Sequence, residues 1–198
     1  MINPMTLIFI LGTYLFGALN GAILLCKAKG WPDPRAAGSK NPGATNMLRL
    51  HAAQAASLVL IFDLLKGTLP VYLAYFWGYS PIMIGVIAIA ACLGHIFPPY
   101  FQFKGGKAVA TGLGTLLPLG IDLTGLVVLT WLFTIAVSGY ASLAAIVVAI
   151  AAPFFVQQIN PEYTISVSML SILIVLRHIG NIRRILSGKE KKIVNWKQ

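Results

Sequence analysis

Leu123 to Gln157 reads LTGLVVLTWLFTIAVSGYASLAAIVVAIAAPFFVQ, 35 residues without a charged side chain. A single helix of that length rises about 52 Å, whereas a hydrocarbon core of ~30 Å is crossed by about 20 residues. Even a tilted span cannot absorb the excess. The run must fold back, and Ser138-Gly139 is the natural breakpoint. Two short spans joined by a tight turn place this chain among all-α integral membrane proteins.

The rest of the composition agrees. Of 198 residues 58% are hydrophobic and 10% charged, against roughly 45–50% and 25% in a soluble domain. The length suits one domain, residues 1–198. The same ruler marks apolar segments from Met5 to Cys26, Ala55 to Trp77, Pro81 to Phe97, Ala108 to Ile121, Leu123 to Val137, Tyr140 to Gln157 and Thr164 to Leu176. Seven spans are expected, or six if the short Ala108–Ile121 segment, with Gly112, Gly114 and Pro118, is re-entrant. The amino terminus reads as a first span and not as a signal peptide, since no Lys or Arg precedes its apolar run.

A formal charge of +10 often signals nucleic acid, but membrane proteins concentrate Lys and Arg in cytoplasmic loops. With the amino terminus outside and seven spans, 14 of the 15 basic residues fall on the cytoplasmic face and the carboxyl terminus lies there too. Only Lys66 does not. No nucleic-acid partner is expected. Cys26 and Cys92 read as small buried hydrophobes, and no metal-site spacing involves them or the three histidines.

Two inner loops carry specific chemistry. The first contains GSKNPGATN, Gly38 to Asn46, followed by Arg49. Such density of Gly, Asn, Ser and Pro favours turns that aim several N–H groups at one point, and Thr45 and Asn46 are expected to cap the next helix, whose positive end favours phosphate. The second reads YFQFKGGKAVAT, Tyr100 to Thr111. Its glycines allow close approach, Lys104 and Lys107 supply charge, and Thr111 supplies a hydroxyl. It is not a Walker A loop, for the spacing is absent. The plainer alternatives are a polar turn with a helix cap and a snorkelling positive-inside loop; two Gly-rich basic loops on one face favour the phosphate reading.

SGYAS, Ser138 to Ser142, adds two serine hydroxyls on that face, and RHIGNIRR, Arg177 to Arg184, places His178 and Asn181 on one helical face. His178 fits either a carbonyl-bonded helix end or catalysis. Asp63 and Lys66, at i and i+3 within the second span, fit either an internal ion pair or a direct role. His51 and His95 fit core or interfacial packing.

These segments in this order, DPRAAGSKNPGATNMLR (Asp33–Arg49), FDLLKG (Phe62–Gly67), GHIFPPYFQFKGGKAVAT (Gly94–Thr111), SGYASL (Ser138–Leu143) and RHIGNIRRILSGKE (Arg177–Glu190), resemble the bacterial acyl-phosphate-dependent glycerol-3-phosphate acyltransferase family over nearly the whole chain. The resemblance implies transfer of a fatty acyl group from acyl phosphate to the 1-hydroxyl of glycerol 3-phosphate, giving lysophosphatidic acid and inorganic phosphate, in the cytoplasmic (inner) membrane and without a cofactor. It also implies that Ser39, Asn41, Gly43, Ala44, Thr45, Asn46, Gly105 and Gly106 hold the acyl phosphate, and that Arg49, Lys107, Ser142, His178 and Asn181 grip glycerol 3-phosphate, with Lys104 alongside. The base is then His178 or a substrate phosphate oxygen. Lys40 and Ala108 stand where the family usually has glycine, as in GSGNPGATN and GGKGVAT. A helical position would tolerate Ala108; Lys40 must avoid φ > 0 or supply a charge in exchange. The rival is a small organic-phosphate transporter or channel, which needs polar groups spread through the membrane thickness.

Overall fold

The structure is a computed structural model and describes residues 3–193. Among the described residues it is built from helices joined by turns, with no strand, and it divides after Thr115 into two compact units.

In the first unit, α1 (Pro4–Gly17) begins where the Asn3 side chain accepts the Met5 N–H at 3.0 Å and Pro4 presets the first turn. It stops short of the expected Cys26. Asn20 caps a second helix, α2 (Gly21–Lys29), by accepting the Ile23 N–H at 3.1 Å, and the two helices meet at 47°. The first expected span is thus a bent pair. After α3 (Ala44–Leu50), α4 (Ala53–Phe76) and α5 (Pro81–Ile96) are long, and α6 (Val109–Leu116) is short.

Glycines let these helices touch. A Cβ at Gly17 would lie 2.2 Å from the Ala91 carbonyl oxygen, and one at Gly94 would lie 2.1 Å from that of Tyr14, so α1 and α5 pack backbone to backbone. α6 docks on α4 in the same way, and the Thr68 hydroxyl donates to the Gly114 carbonyl at 2.9 Å.

The second unit contains α7 (Ile121–Ser138), α8 (Ala141–Ile159), α9 (Thr164–Arg177) and α10 (Ile179–Leu186). The charge-free run breaks at the expected place, where Gly139 takes φ 77° and α7 and α8 pack side by side. α9 and α10 meet at 55° around His178.

Among the described residues four helical stretches are long and apolar enough to cross a membrane, Ala53–Phe76, Pro81–Phe101, Ile121–Ser138 and Ala141–Ile159, and the two bent pairs raise the number to six. The expected Ala108–Ile121 span holds only a short apolar helix, Val109–Leu119. Burial is inverted relative to a soluble protein. Phe76, Phe133 and Phe154 are about 70% exposed, while Asp63, Lys66, His95, Asn46 and His178 are buried.

Candidate active site

In the first unit the two Gly-rich loops are locked together. Arg35 pairs with Asp33 (Nη2–Oδ2 2.7 Å) and uses Nη1 to donate to the Phe101 and Lys104 carbonyls at 2.9 and 3.2 Å. The hydrogen-bonded Arg35 guanidinium beside Asp33 holds that carboxyl below its ordinary range. Neither residue stood out in the sequence, because a DPR triplet in a polar loop gives no sign of a partner 66 positions away.

Asn46 organises the first loop from within. Its Oδ1 accepts the Ser39 N–H at 2.8 Å and its Nδ2 donates to the Pro34 and Ala37 carbonyls at 2.8 and 3.3 Å. Gly38, at φ 64°, lies so close that a Cβ would meet Asn46 Oδ1 at 2.3 Å. The expected caps shift: Gly43 is the N-cap of α3, so Thr45 and Asn46 lie inside its first turn, and Asn46 is turned sideways into the loop. Asn20 Nδ2 donates to the Pro42 carbonyl at 3.1 Å and anchors the turn holding Asn41, Gly43 and Ala44. Arg49 sits in the last turn of α3, and His51 stacks on Trp31 with ring centroids 3.8 Å apart.

The second loop differs from the expected nest. The Gly105 and Gly106 N–H groups are donated to the Ile96 and His95 carbonyls at 3.2 and 3.1 Å. These glycines allow contact instead, since Cβ atoms there would fall 2.0 Å from the His95 oxygen and 2.1 Å from His95 Nε2. They press the Lys104–Lys107 segment onto the end of α5. Thr111, in the first turn of α6, is fully buried and its hydroxyl has no hydrogen-bond partner among the described residues. Ala108 is not helical: it precedes α6 at φ 58°, and Lys40 takes φ 58° as well. Lys40 and Ala108 therefore both occupy the left-handed region.

Asp63 and Lys66 do pair, at 2.8 Å. Lys66 Nζ also lies 2.8 Å from the Leu19 carbonyl and 2.8 Å from His95 Nδ1.

In the second unit the turn at Gly139 brings Ser142 to the carboxyl-terminal segment. Ser142 Oγ and Asn181 Nδ2 both donate to Glu190 Oε1, at 2.7 and 2.6 Å, and Arg184 Nε donates to Oε2 at 2.6 Å. Burial alone would raise the Glu190 carboxyl, but these three donors outweigh it and hold the group below its ordinary range. Nothing in its basic surroundings singles Glu190 out in the sequence; its place at the end of the RHIGNIRRILSGKE segment is the signal there. His178, buried at the α9–α10 corner, has Nδ1 2.7 Å from the Ile174 carbonyl. A carbonyl only accepts, so Nδ1 carries the proton and Nε2 is the acceptor of the neutral ring.

A sequence profile for glycerol-3-phosphate acyltransferases matches residues 7–188. The chain belongs to the glycerol-3-phosphate acyltransferase family. Relatives of that name in Aliivibrio salmonicida and Photobacterium profundum are 54% and 53% identical to it over 191 residues, 96% of this chain and 99% and 94% of theirs. A third, in Pectobacterium atrosepticum, is 56% identical over 180 residues, covering 91% of this chain and 85% of its own. The fold is similar to that of PlsY (YgiH), an integral membrane glycerol 3-phosphate acyltransferase, in its glycerol 3-phosphate form, with a TM-score of 0.90, 32% identity and 95% of each chain covered. The lysophosphatidic acid form of PlsY gives a TM-score of 0.89 at 31% identity, again with 95% of each chain covered.

Proposed function

We propose that this family member is a multi-pass inner-membrane enzyme that acylates the 1-hydroxyl of glycerol 3-phosphate with acyl phosphate at the cytoplasmic face. The substrate alcohol oxygen attacks the acyl carbon, the acyl C–O bond to phosphate breaks, and lysophosphatidic acid and inorganic phosphate leave. Acyl phosphate is a mixed anhydride with a good leaving group, so orientation and charge neutralisation suffice and no acyl-enzyme is needed. The chain acts as one domain, 1–198, with seven spans, the amino terminus outside and the carboxyl terminus cytoplasmic.

The observation that carries this reading is the Arg35 clamp, which ties two loops rich in glycine and cations, Gly38–Asn46 and Lys104–Lys107, into one structure. On this reading Ser39, Asn41 and Gly43 to Asn46 shape the acyl-phosphate pocket. Gly105 and Gly106 set its floor, and Lys104 and Lys107 supply charge. The family resemblance assigns Arg49, Lys107, Ser142, His178 and Asn181 to glycerol 3-phosphate. The hydroxyl proton passes to His178 Nε2 or to a phosphate oxygen.

A phosphate transporter fits less well, since the charged pair deep in the first unit, Asp63 and Lys66, is closed on itself. Protein reconstituted in liposomes with acyl phosphate and glycerol 3-phosphate distinguishes the two. Release of inorganic phosphate supports the enzyme, and glycerol 3-phosphate flux without release supports the transporter.

A further inference from the structure

Among the described residues Lys66 is the largest fully buried side chain, and a buried ammonium must place all three of its protons on acceptors. Three acceptors surround it, each at 2.8 Å: Asp63 Oδ1, the Leu19 carbonyl and His95 Nδ1. The break between α1 and α2 exposes that carbonyl, because the chain leaves helical geometry before Asn20. Asp63 Oδ1 in turn accepts the Gly21 N–H at 3.3 Å.

The arrangement fixes the chemistry of the histidine. With Nδ1 accepting from Lys66, a neutral His95 ring carries its proton on Nε2. That nitrogen abuts the second Gly-rich loop, at 2.1 Å from where a Gly106 Cβ would stand. The His95 carbonyl accepts the Gly106 N–H, and the adjoining Ile96 carbonyl accepts that of Gly105. One residue thus grips the loop through its backbone and supports it with a ring whose rotation is locked from behind by a salt bridge.

We propose that His95, oriented by Lys66 and Asp63, is a positioning residue for the Lys104–Lys107 loop and sets acyl-phosphate affinity through Gly106. The inference rests on the assignment of that loop to acyl phosphate. The network spans the break after α1, the middle of α4 and the end of α5, so those three segments hold the loop together. A chain in which Asp63 and Lys66 only neutralised each other would not need the imidazole at the loop.

The test uses the full chain in lipid nanodiscs with acyl phosphate and glycerol 3-phosphate. Gly106→Ala drives a methyl into the imidazole and raises KM for acyl phosphate by about tenfold or more, with a smaller rise in KM for glycerol 3-phosphate through the adjoining Lys107. His95→Ala raises the same KM, and adding Gly106→Ala to it costs little more, because the ring that the methyl would strike is gone. His95→Gln, which keeps an N–H donor facing the loop, recovers part of the loss. Additive effects of the two alanines, or a fall in thermal stability with both KM values unchanged, overturn the proposal.

Should His95→Ala not fold, nitrogen-15 NMR of histidine-labelled wild-type protein decides. The Nε2–H tautomer at His95 is expected, and an Nδ1–H tautomer overturns it. If the wild type releases no phosphate from acyl phosphate, the donor assignment has failed, and the tautomer still reports on the network.

Discussion

Arg35 donates to the carbonyl oxygen of Lys104 across 3.2 Å, so a residue of the first Gly-rich loop fixes the backbone of the second. The same guanidinium reaches Phe101 and Asp33, which uses its planar fork in a way that lysine cannot reproduce. Arg35→Lys and Arg35→Ala are both expected to raise KM for acyl phosphate, by about tenfold for alanine, as suits loss of charge-assisted bonds worth ~1.5–3 kcal/mol. Steady-state kinetics with each substrate varied in turn checks this. The KM for the donor moves most.

Lys40 and Ala108 are held at φ 58°, in a region that disfavours side chains bearing a Cβ. Lys40→Gly and Ala108→Gly should each stabilise the protein by about 0.5–1 kcal/mol, the relief of strain being partly offset by a more flexible unfolded chain. Thermal unfolding in detergent gives the comparison. Ala108 is the better site for it, because it is buried and its conformation is fixed by the start of α6.

Glu190 joins Ser142, Asn181 and Arg184. Glu190→Gln weakens three bonds to a carboxylate, and a loss of about 1–3 kcal/mol of stability is expected together with reduced activity. The folded carboxyl is held below the ordinary 4.5. Its contribution is therefore complete above about that pH and fades as pH falls through the lower folded value. Unfolding curves of wild type and Glu190→Gln should separate near neutrality and converge in acid.

The break at Ser138-Gly139 was legible because hydrophobic length alone forbids a straight helix. The Asp63–Lys66 pair was legible from spacing. His95 was not, since a histidine in an apolar run looks like packing until a lysine from 29 positions earlier is seen on its Nδ1. Glu190 was hidden by its basic surroundings. Ala108 was expected to be helical because an apolar run follows it, but a helix needs an N-terminal flanking residue with its own backbone geometry, and Ala108 takes that place: its carbonyl accepts the Gly112 N–H at 2.7 Å. The nest expected at Gly105-Gly106 failed for a similar reason, as the end of α5 offers its own carbonyls to those N–H groups.

His178 presents Nε2 as its acceptor because Nδ1 donates to Ile174. His178→Ala is expected to lower kcat by about a hundredfold if Nε2 takes the substrate proton. Retained turnover at saturating glycerol 3-phosphate, with only KM raised, would assign the proton to a substrate phosphate oxygen and leave His178 to bind.

The most direct test of the central claim is the donor. Purified protein is given radiolabelled glycerol 3-phosphate with acyl phosphate, acyl-CoA or acyl carrier protein as the sole acyl source, and lysophosphatidic acid and inorganic phosphate are counted. Equal amounts of both products are expected with acyl phosphate, and neither product with the thioesters. Lysophosphatidic acid formed from a thioester while acyl phosphate stays intact would contradict that claim.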